Sequence, residues 1–357
     1  MRKYFLPVLW SVALFVSCGR HETSDSVLSC FDGIPLVRLV PEETIDLEEY
    51  GILDPVGIDC YDGALVIRKW KSENLVDILT PEGRLVHCIR KGNGPGELVD
   101  IGSLQVLGDT LLAYSPTQQK LLSIDLPATI ASQRQFVAGE RRIGMAERRI
   151  SGQIALPFYL QCTRDGRTFG AGMFEGDCWY AEIPAGGDIK NGVPGPRIDD
   201  ERLSEAGKKV LNTASLLSVS PDGSRIAAAY THIAAVSLGN TVPELHESWS
   251  ELFYPPHLWF PDQPGLTVGY ERDNPATFLG AQAENDAVFL LYSGKVRGED
   301  GEDRDHGSHL LGMDWDGHPR CRFELDVPIA AFCIDGSDLY GVSFFPSAKV
   351  CRFTIGN

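Results

Sequence analysis

The stretch VGIDCYDGALVIRKWKSENLVDILTPEGRLVHCIR, residues 56–90, decides the fold class of this chain. Short apolar runs alternate in it with two tight-turn signals, Asp62-Gly63 and Glu82-Gly83. Asp-Gly between alternating apolar runs is a strong hairpin signal, because glycine accepts the positive φ of tight hairpin turns. Residues 56–90 are therefore predicted to form four short antiparallel strands.

The same hairpin pattern recurs along the rest of the chain. Each repeat is too small to bury its own faces, so it must stack on its neighbours. Stacked four-stranded antiparallel units without helical periodicity between them predict an all-β fold, a six-bladed β-propeller. Seven blades of about 46 residues would fit the length as well as six of about 54, but the turn spacing favours six. The later turns are Gly108-Asp109, Asp165-Gly166, Asp222-Gly223, Asn285-Asp286, Asp316-Gly317 and Asp335-Gly336.

The turns also suggest how the ring is divided and closed. An early strand, IPLVRLV at residues 34–40, is expected to pair with the last blade, which removes exposed sheet edges. Residues 128–150 and 199–215 break the repeat, and we expect polar excursions from the rim there, the second with a short helix. The second blade is short unless it takes strands from 130–150. The expected blades span residues 52–98, 99–127, 155–190, 213–245, 276–328 and 329–356.

The N-terminus has the pattern of an exported lipoprotein. Arg2 and Lys3 precede an apolar run that is too short to span a membrane and is typical of a signal peptide. The serine directly before Cys18 resembles a lipobox, in which cleavage leaves an acylated cysteine; plain secretion is the alternative. The expected parts are a signal peptide at 1–17, a tether at 18–33 and one propeller domain at 34–357.

Location, charge and cysteine usage narrow the class of partner. We expect a protein of the bacterial inner or outer membrane, facing the periplasm or the surface and touching the membrane only through its lipid. Cleavage removes Arg2 and Lys3, so the formal charge of −17 becomes −19. Such a charge repels nucleic acid, so no DNA or RNA partner is expected.

The eight other cysteines form no CxxC pair and mostly lie in apolar runs. This pattern predicts small buried side chains and leaves disulfide pairing open.

The glycine-rich run RKGNGPGE, residues 90–97, follows the fourth predicted strand. It lacks the Gly-Lys-Ser/Thr end of a phosphate-binding loop and does not open a helix. We expect its glycines to adopt torsions closed to other residues, its proline to stiffen the path between blades, and its glutamate to accept hydrogen bonds from loop amides. A direct part in ligand binding is the alternative. The residues of this expected structural motif are Gly92, Gly94, Pro95, Gly96 and Glu97.

This run resembles the R-x-G-x-GPGE signature that closes the first blade in a family of bacterial lipoproteins with six-bladed, TolB-like or NHL-like propellers. The resemblance covers most of the mature chain, from the lipobox and the xDGxLhI strand pair to a final DGxxLYG blade. It implies the fold and a cell-envelope location. Because the members of that family mostly lack an assigned activity, it implies no catalytic residues.

The densest aromatic cluster of the mature chain is WSELFYPPHLWFPDQPG, residues 249–265. Aromatic faces on proline-stiffened loops bind sugars or peptides at a low entropic cost. Packing between the fourth and fifth blades is the alternative for these rings. The candidate ligand-binding residues are Trp249, Phe253, Tyr254, His257 and Trp259.

The histidines and carboxylates form no catalytic constellation in the sequence. EDGEDRDHGSH, residues 299–309, suits an exposed loop, and His306 and His309 lack an assured third ligand for a metal. We therefore assign no catalytic residue, metal or cofactor.

The function expected from these features is that of a monomeric binding or scaffolding module for an envelope protein, peptide or glycan. The alternative is a propeller enzyme of the lactonase, lyase or glycan hydrolase type, with a metal or carboxylate site in the central channel. Glu97, Asp59 and His232 are the residues that would contribute to such a site. Acidic or histidine side chains would then have to converge from several blades.

Overall fold

The computed structural model describes residues 25–143, 149–150, 153–154, 156–184, 189–261, 268–298 and 304–356. Within these ranges the strands form six sheets of four or five strands and two short two-stranded ladders. The lipobox cysteine Cys18 and the predicted signal peptide lie outside the described residues.

The elements follow one another in chain order. Before the first blade come α1 (Asp25–Ser29), β1 (Leu36–Leu39), β2 (Glu43–Asp46) and a 3-10 turn (Glu48–Tyr50). Blade 1 holds β3 (Pro55–Tyr61), β4 (Ala64–Lys69), β5 (Asn74–Leu79) and β6 (Leu85–Arg90). Blade 2 holds β7 (Ser103–Leu107), β8 (Thr110–Ser115), β9 (Lys120–Asp125) and β10 (Val137–Arg142), with α2 (Leu126–Ser132) before β10. A ladder of β11 (Arg149–Ile150) and β12 (Gln153–Ile154) follows.

The second half of the chain repeats the pattern. Blade 3 holds β13 (Leu156–Cys162), β14 (Thr168–Met173), β15 (Tyr180–Glu182) and β16 (Lys190–Val193), and α3 (Glu205–Leu211) follows it. Blade 4 holds β17 (Ser215–Val219), β18 (Arg225–Tyr230), β19 (Ala234–Asn240) and β20 (His246–Tyr254), followed by β21 (Leu258–Trp259) and β22 (Gly269–Tyr270). Blade 5 holds β23 (Phe278–Ala283), β24 (Val288–Tyr292), β25 (Gly307–Met313) and β26 (Pro319–Ile329). Blade 6 holds β27 (Ala331–Asp335), β28 (Asp338–Ser343) and β29 (Lys349–Thr354).

The first strand of every blade lies innermost. These strands contact one another around a closed ring, in the order β3, β7, β13, β17, β23, β27 and back to β3. Successive blades pack through their faces; Trp179 before β15, for example, stacks on Tyr230 of blade 4 with ring centroids 4.1 Å apart. The structure therefore confirms a six-bladed propeller with four-stranded antiparallel blades.

Ring closure comes from a different N-terminal strand than the sequence suggested. The outer strand of blade 6 is β2, which pairs antiparallel with β29. The more apolar segment 34–40 supplies β1, which instead runs parallel to β26 and adds a fifth strand to blade 5. The expected pairing of 34–40 with the last blade is thus wrong. Arg352 explains why the polar strand pairs there, because its guanidinium lies 3.2 Å from Glu43 and 3.6 Å from Glu42.

The two irregular segments differ in their outcome. Residues 128–150 were expected to leave the rim, but α2 ends at Ser132 and the chain returns as β10, the outer strand of blade 2. The arginine-rich run is therefore largely a solvent-exposed outer strand. The second segment contains the expected short helix, α3, which begins after the N-cap Ser204.

Part of the expected tether, residues 18–33, packs on the propeller. Val27 of α1 and Phe31 are buried against the outer sides of blades 4 and 5. No helix in the described ranges is long and apolar enough to cross a membrane.

The cysteines of the described chain are free thiols, and most of them are buried. Burial raises the pKa of the Cys88 and Cys178 thiols to about 12. These two side chains are therefore protonated and pack as small apolar groups.

Candidate functional site

The propeller has two unlike faces, which follow from the strand order. All innermost strands run in the same direction, so the turns after them lie at one end of the ring, here named the hairpin face. The loops between second and third strands and the connections between blades lie at the other end, the connection face. The long insertions around α3, β21 and β22 are blade connections, so they belong to the connection face. Loops that extend one face of a rigid scaffold are where binding residues concentrate.

The central channel opens on the connection face as a cavity of about 430 Å³, which we name the mouth. Blades 1, 2, 4, 5 and 6 all contribute to its lining. A cavity of this volume suits a small ligand or the end of a chain. Its polar and aromatic lining residues are Arg68, Lys69, Trp70, Lys91, Asp100, Thr231, Asp305 and Phe344.

Arg68 reaches the mouth from the end of β4. Its guanidinium donates hydrogen bonds to the backbone carbonyls of Ile101 at 2.9 Å and Val56 at 3.2 Å. Burial lowers its pKa from the ordinary value, an effect that the nearby Tyr159 partly offsets. Among the described residues no carboxylate lies within ion-pair distance of Arg68. Within the described part of the chain, the hydrogen bonds that hold this partly buried cation in the mouth come from carbonyl oxygens.

Lys69, the next residue along β4, is anchored instead by a buried acid. Its ammonium lies 2.5 Å from a carboxylate oxygen of Asp77, and both side chains are almost fully buried. The other oxygen of Asp77 lies 2.8 Å from Nδ1 of His87. This ion pair fixes the loop that follows Lys69.

That loop presents Trp70 at the edge of the mouth. Asp54 holds it by accepting hydrogen bonds from the Lys71 amide at 2.5 Å and the Ser72 hydroxyl at 2.7 Å. Trp70 is 66% exposed, and two further exposed apolar residues lie in neighbouring connection-face loops, Leu53 at 66% and Phe345 at 60%. We name Leu53, Trp70 and Phe345 the rim. Large apolar groups left in water on one side of a cavity are typical of a binding surface.

A second cavity, of about 250 Å³, fills the channel toward the hairpin face. Polar side chains of the inner strands bridge neighbouring blades around it. Gln105 bonds both the amide and the carbonyl of Cys162, and Gln282 does the same with Ile334. These contacts tie β7 to β13 and β23 to β27, so several of the polar groups that line the cavity already hold the ring together.

Asp59 belongs to the same set of bridges. Its carboxylate accepts hydrogen bonds from the amides of Val106 at 2.7 Å and Cys60 at 2.8 Å. Burial raises its pKa to about 6, with a smaller contribution from Asp335, and the two amides oppose the shift. The carboxyl is thus a channel group that titrates near neutral pH.

We expect Asp59 to make stability depend on pH. Its folded-state pKa of about 6 exceeds the ordinary 3.8, so the folded protein holds a proton that the unfolded chain releases. The Asp59 contribution to stability should therefore fall as pH rises from about 4 through 6, by up to about 3 kcal/mol. His232, whose pKa is lowered to about 4, contributes in the opposite direction over the same range. In urea unfolding across this range, the stability of wild type should therefore fall relative to that of Asp59→Asn, because the His232 contribution is common to both proteins. The exposed Asp286→Asn should match wild type; an unchanged profile in Asp59→Asn would contradict the assignment.

The structure does not bring together the three residues considered for a channel enzyme site. Asp59 lies in the hairpin-side cavity, while His232 lies in the connection-face loop after β18. Glu97 folds back into its own loop, where it accepts a hydrogen bond from the Gly94 amide at 2.8 Å. His232 packs against Tyr270 with ring centroids 5.0 Å apart, and burial lowers its pKa to about 4, so it is neutral at physiological pH.

The GPGE loop joins blade 1 to blade 2. Only Gly96 of its glycines has a positive φ, of 73°, so the expectation of special torsions at Gly92 and Gly94 is wrong. A β-carbon would lie 2.0 Å from the Glu97 carboxylate on Gly92 and 3.0 Å from it on Gly94, so both glycines leave room for the folded-back Glu97 side chain. Lys120 of blade 2 donates to the Glu97 carbonyl at 2.5 Å. Pro95 is exposed on this loop.

The aromatic candidates of residues 249–265 are separated from one another. Trp249 lies on the outer strand of blade 4 and packs against Gly317 of blade 5. Phe253 packs on Phe278, and Tyr254 is buried. These three positions correspond to packing between the fourth and fifth blades.

The other two candidates lie beyond the strand on the connection face. His257 is partly buried, with Nδ1 3.3 Å from Asp273, and Trp259 is 47% exposed. Sequence reasoning missed the rim because Trp70 stands alone between strands and Phe345 has only Phe344 beside it, which is too short a run to mark an aromatic cluster.

The two histidines considered for a metal do not share a site in the described part of the chain. His306 is buried and accepts a hydrogen bond from the Phe344 amide at 3.2 Å, while His309 lies within β25. Part of the acidic loop, residues 299–303, lies outside the described residues. Asp314, Asp316 and His318 do come together at the turn after β25, where Asp314 accepts two backbone hydrogen bonds.

Comparisons with known proteins agree with this architecture. The family described as TolB-like 6-blade propeller-like matches residues 52–337. No curated protein matches the sequence significantly.

Several solved structures share parts of the arrangement. Virginiamycin B lyase from Staphylococcus aureus is 12% identical, with a TM-score of 0.49 over 88% of this chain and 99% of that one. A protein described as exported, from Bacteroides fragilis, is 11% identical, with a TM-score of 0.48 over 90% and 100%. A luciferin-regenerating enzyme is 11% identical, with a TM-score of 0.48 over 87% and 95%. Similarities this low carry no argument about activity, but the family match covers most of the sequence. The chain belongs to the family of TolB-like six-bladed propellers.

Proposed function

We propose that the protein is a lipid-anchored envelope module that binds a protein, peptide or glycan partner at its connection face. The observation that carries the proposal is the rim beside the mouth. Leu53, Trp70 and Phe345 come from adjoining blades 6 and 1 and leave more than half of each residue in water. Single exposed apolar residues are ordinary, but three beside a polar cavity combine an anchor surface with groups that give specificity.

The anchor part of the proposal rests on the N-terminal sequence. If Cys18 carries the lipid, the chain between it and Asp25 spans at most about 25 Å when fully extended. The helix α1 then contacts β20 on the outer side of blade 4. The propeller would stay close to the membrane with that outer edge nearest to it, which leaves both ends of the channel accessible.

The proposal predicts that partner retention depends on the rim. The double variant Trp70→Ser/Phe345→Ser should retain at least tenfold less of the native partner than wild type, because hot-spot aromatic residues carry most of an interface energy. The control is Phe136→Ser/Val242→Ser, which removes similarly exposed apolar groups between third and fourth strands on the hairpin face. Retention is measured by quantitative mass spectrometry after capture from solubilised envelopes. Equal loss in the control, or no loss in the rim variant, would reject the proposal.

The enzyme alternative has one specific observation in its favour, the Asp59 carboxyl with a pKa of about 6 inside the channel. A carboxyl that titrates near neutral pH is suited to general acid or base chemistry. This carboxyl already accepts hydrogen bonds from two backbone amides, which favours a structural role for Asp59. Metal analysis of the purified protein distinguishes a binding module from an enzyme, because stoichiometric calcium or zinc would favour the enzyme.

A further inference from the structure

Within the described ranges, the connection-face mouth contains a cation without an anionic partner. Arg68 has five N–H donors, and two of them are directed at the carbonyls of Ile101 and Val56. These two bonds orient the guanidinium plane and leave three donors. An oriented guanidinium with free donors is suited to binding a carboxylate through two parallel hydrogen bonds.

The backbone beneath Arg68 is shaped to accept it. A β-carbon on Gly57 would lie 2.9 Å from Nε of Arg68, so a larger residue at position 57 would push the guanidinium away. The register of β3 against β4 also shifts between Pro55 and Gly57, which opens the strand pair at this point. The position of the guanidinium is therefore set by the inner strand.

The acids that line the mouth already have partners. Asp100 accepts hydrogen bonds from the hydroxyls of Ser115 and Thr117. Asp305 lies 3.7 Å from Nε of Arg304. Arg68 and the exposed Lys91 form no ion pair within the described ranges, so the lining offers two cations to an incoming anion. This contrasts with the formal charge of −17 for the whole chain.

We propose that the mouth binds a ligand through a carboxylate that pairs with Arg68, with Lys91 as a second cation at the entrance. The proposal deepens the binding function above and rests on it. A singly charged carboxylate fits better than a phosphate dianion, because Asp100 and Asp305 line the same cavity and repel higher negative charge. The free C-terminus of a peptide and the acid group of a uronic acid sugar are the two sources of this chemistry.

Two matched probe pairs test the proposal. Trialanine is compared with its C-terminal amide, and digalacturonate with neutral galactobiose, in calorimetric titrations of the whole mature chain. At least one acid should bind more tightly than its neutral counterpart, and the pair that shows the difference identifies the source. Equal binding of acid and neutral forms, or no binding of either acid at millimolar concentration, would overturn the proposal.

Variants then assign the preference to Arg68. Arg68→Met should weaken the acid by about tenfold to a hundredfold, the range for charge-assisted hydrogen bonds, and leave the neutral form unchanged. Arg84→Met is the control, because Arg84 is exposed in the hairpin-face turn of the same blade. Gly57→Ala keeps the charge but displaces the guanidinium, so it should also weaken the acid in a protein that retains its Arg68. Unchanged acid binding in both Gly57→Ala and Arg68→Met would refute the role of Arg68.

Two variants distinguish a wrong carboxylate site from a wrong binding face. If Arg68→Met retains the native envelope partner while the Trp70→Ser/Phe345→Ser variant loses it, the binding face stands and the carboxylate site is refuted. If the rim variant retains the partner, the binding function itself fails, whatever the small acids do.

Discussion

Removal of residues 1–46 should cost about 3 to 5 kcal/mol more stability than removal of residues 1–40. The six additional residues contain β2, which completes blade 6 by pairing with β29. Its loss removes a ladder of backbone hydrogen bonds, each worth about 0.5 to 1.5 kcal/mol, and the ion pairs of Arg352 with Glu42 and Glu43. The shortened protein would also expose the β29 edge, so we expect it to self-associate.

The shorter truncation is the matched control. It removes α1 and β1 but retains β2, so it loses the burial of Val27 and Phe31 without opening the ring. Denaturant unfolding gives the stability of both forms, and light scattering gives their association. If the two truncations were equally stable, ring closure would have to come from another segment.

Lys69→Met should destabilise the protein by about 3 to 5 kcal/mol, because it leaves the Asp77 carboxylate buried without its ammonium partner. Asp77 is 0% exposed, and the remaining partner His87 is largely in solvent. Lys71→Met is the control: that neighbouring ammonium lies 5.0 Å from the exposed Trp70 ring centroid, and its loss should cost less than about 1 kcal/mol.

A second substitution separates burial of charge from loss of packing. In Lys69→Met/Asp77→Leu both charges are gone, and buried pairs replaced by apolar groups are often neutral in stability. The double variant should therefore recover most of the loss in urea unfolding. A double variant as unstable as Lys69→Met would show that the packing of the lysine stem, rather than the unpaired acid, carries the effect.

The sequence predicts the blades well because each hairpin is a local signal. The Asp-Gly turns after β3 and β13 stand directly between two apolar strands, and glycine at positive φ is required there. The closing strand was harder to identify, because ETID is polar and the nearby apolar run IPLVRLV fits a strand pattern better. The choice between them depends on Arg352, which lies roughly 300 residues away in sequence and beside Glu43 only in the folded ring.

The mouth could not be predicted from sequence for a similar reason. In the sequence, Arg68 near the end of an apolar strand looks like any solvated arginine. Its fixed position in the mouth depends on Gly57 and on the carbonyl of Ile101, which lies in the connection to the next blade. Conversely, the aromatic stretch at residues 249–265 is conspicuous in sequence, yet Trp249 and Phe253 face neighbouring blades. Clustering along the chain does not distinguish interblade packing from a binding surface, whereas exposure in the folded protein does.

Photo-crosslinking in intact cells tests the binding face most directly. A photoreactive amino acid is placed at Trp70 or Phe345 on the connection face, and at Arg84 or Asp286 on the hairpin face. We predict that the first two positions crosslink to the same envelope partner, and that Arg68→Met reduces this crosslink. Crosslinks that form only from the hairpin-face positions would contradict the account.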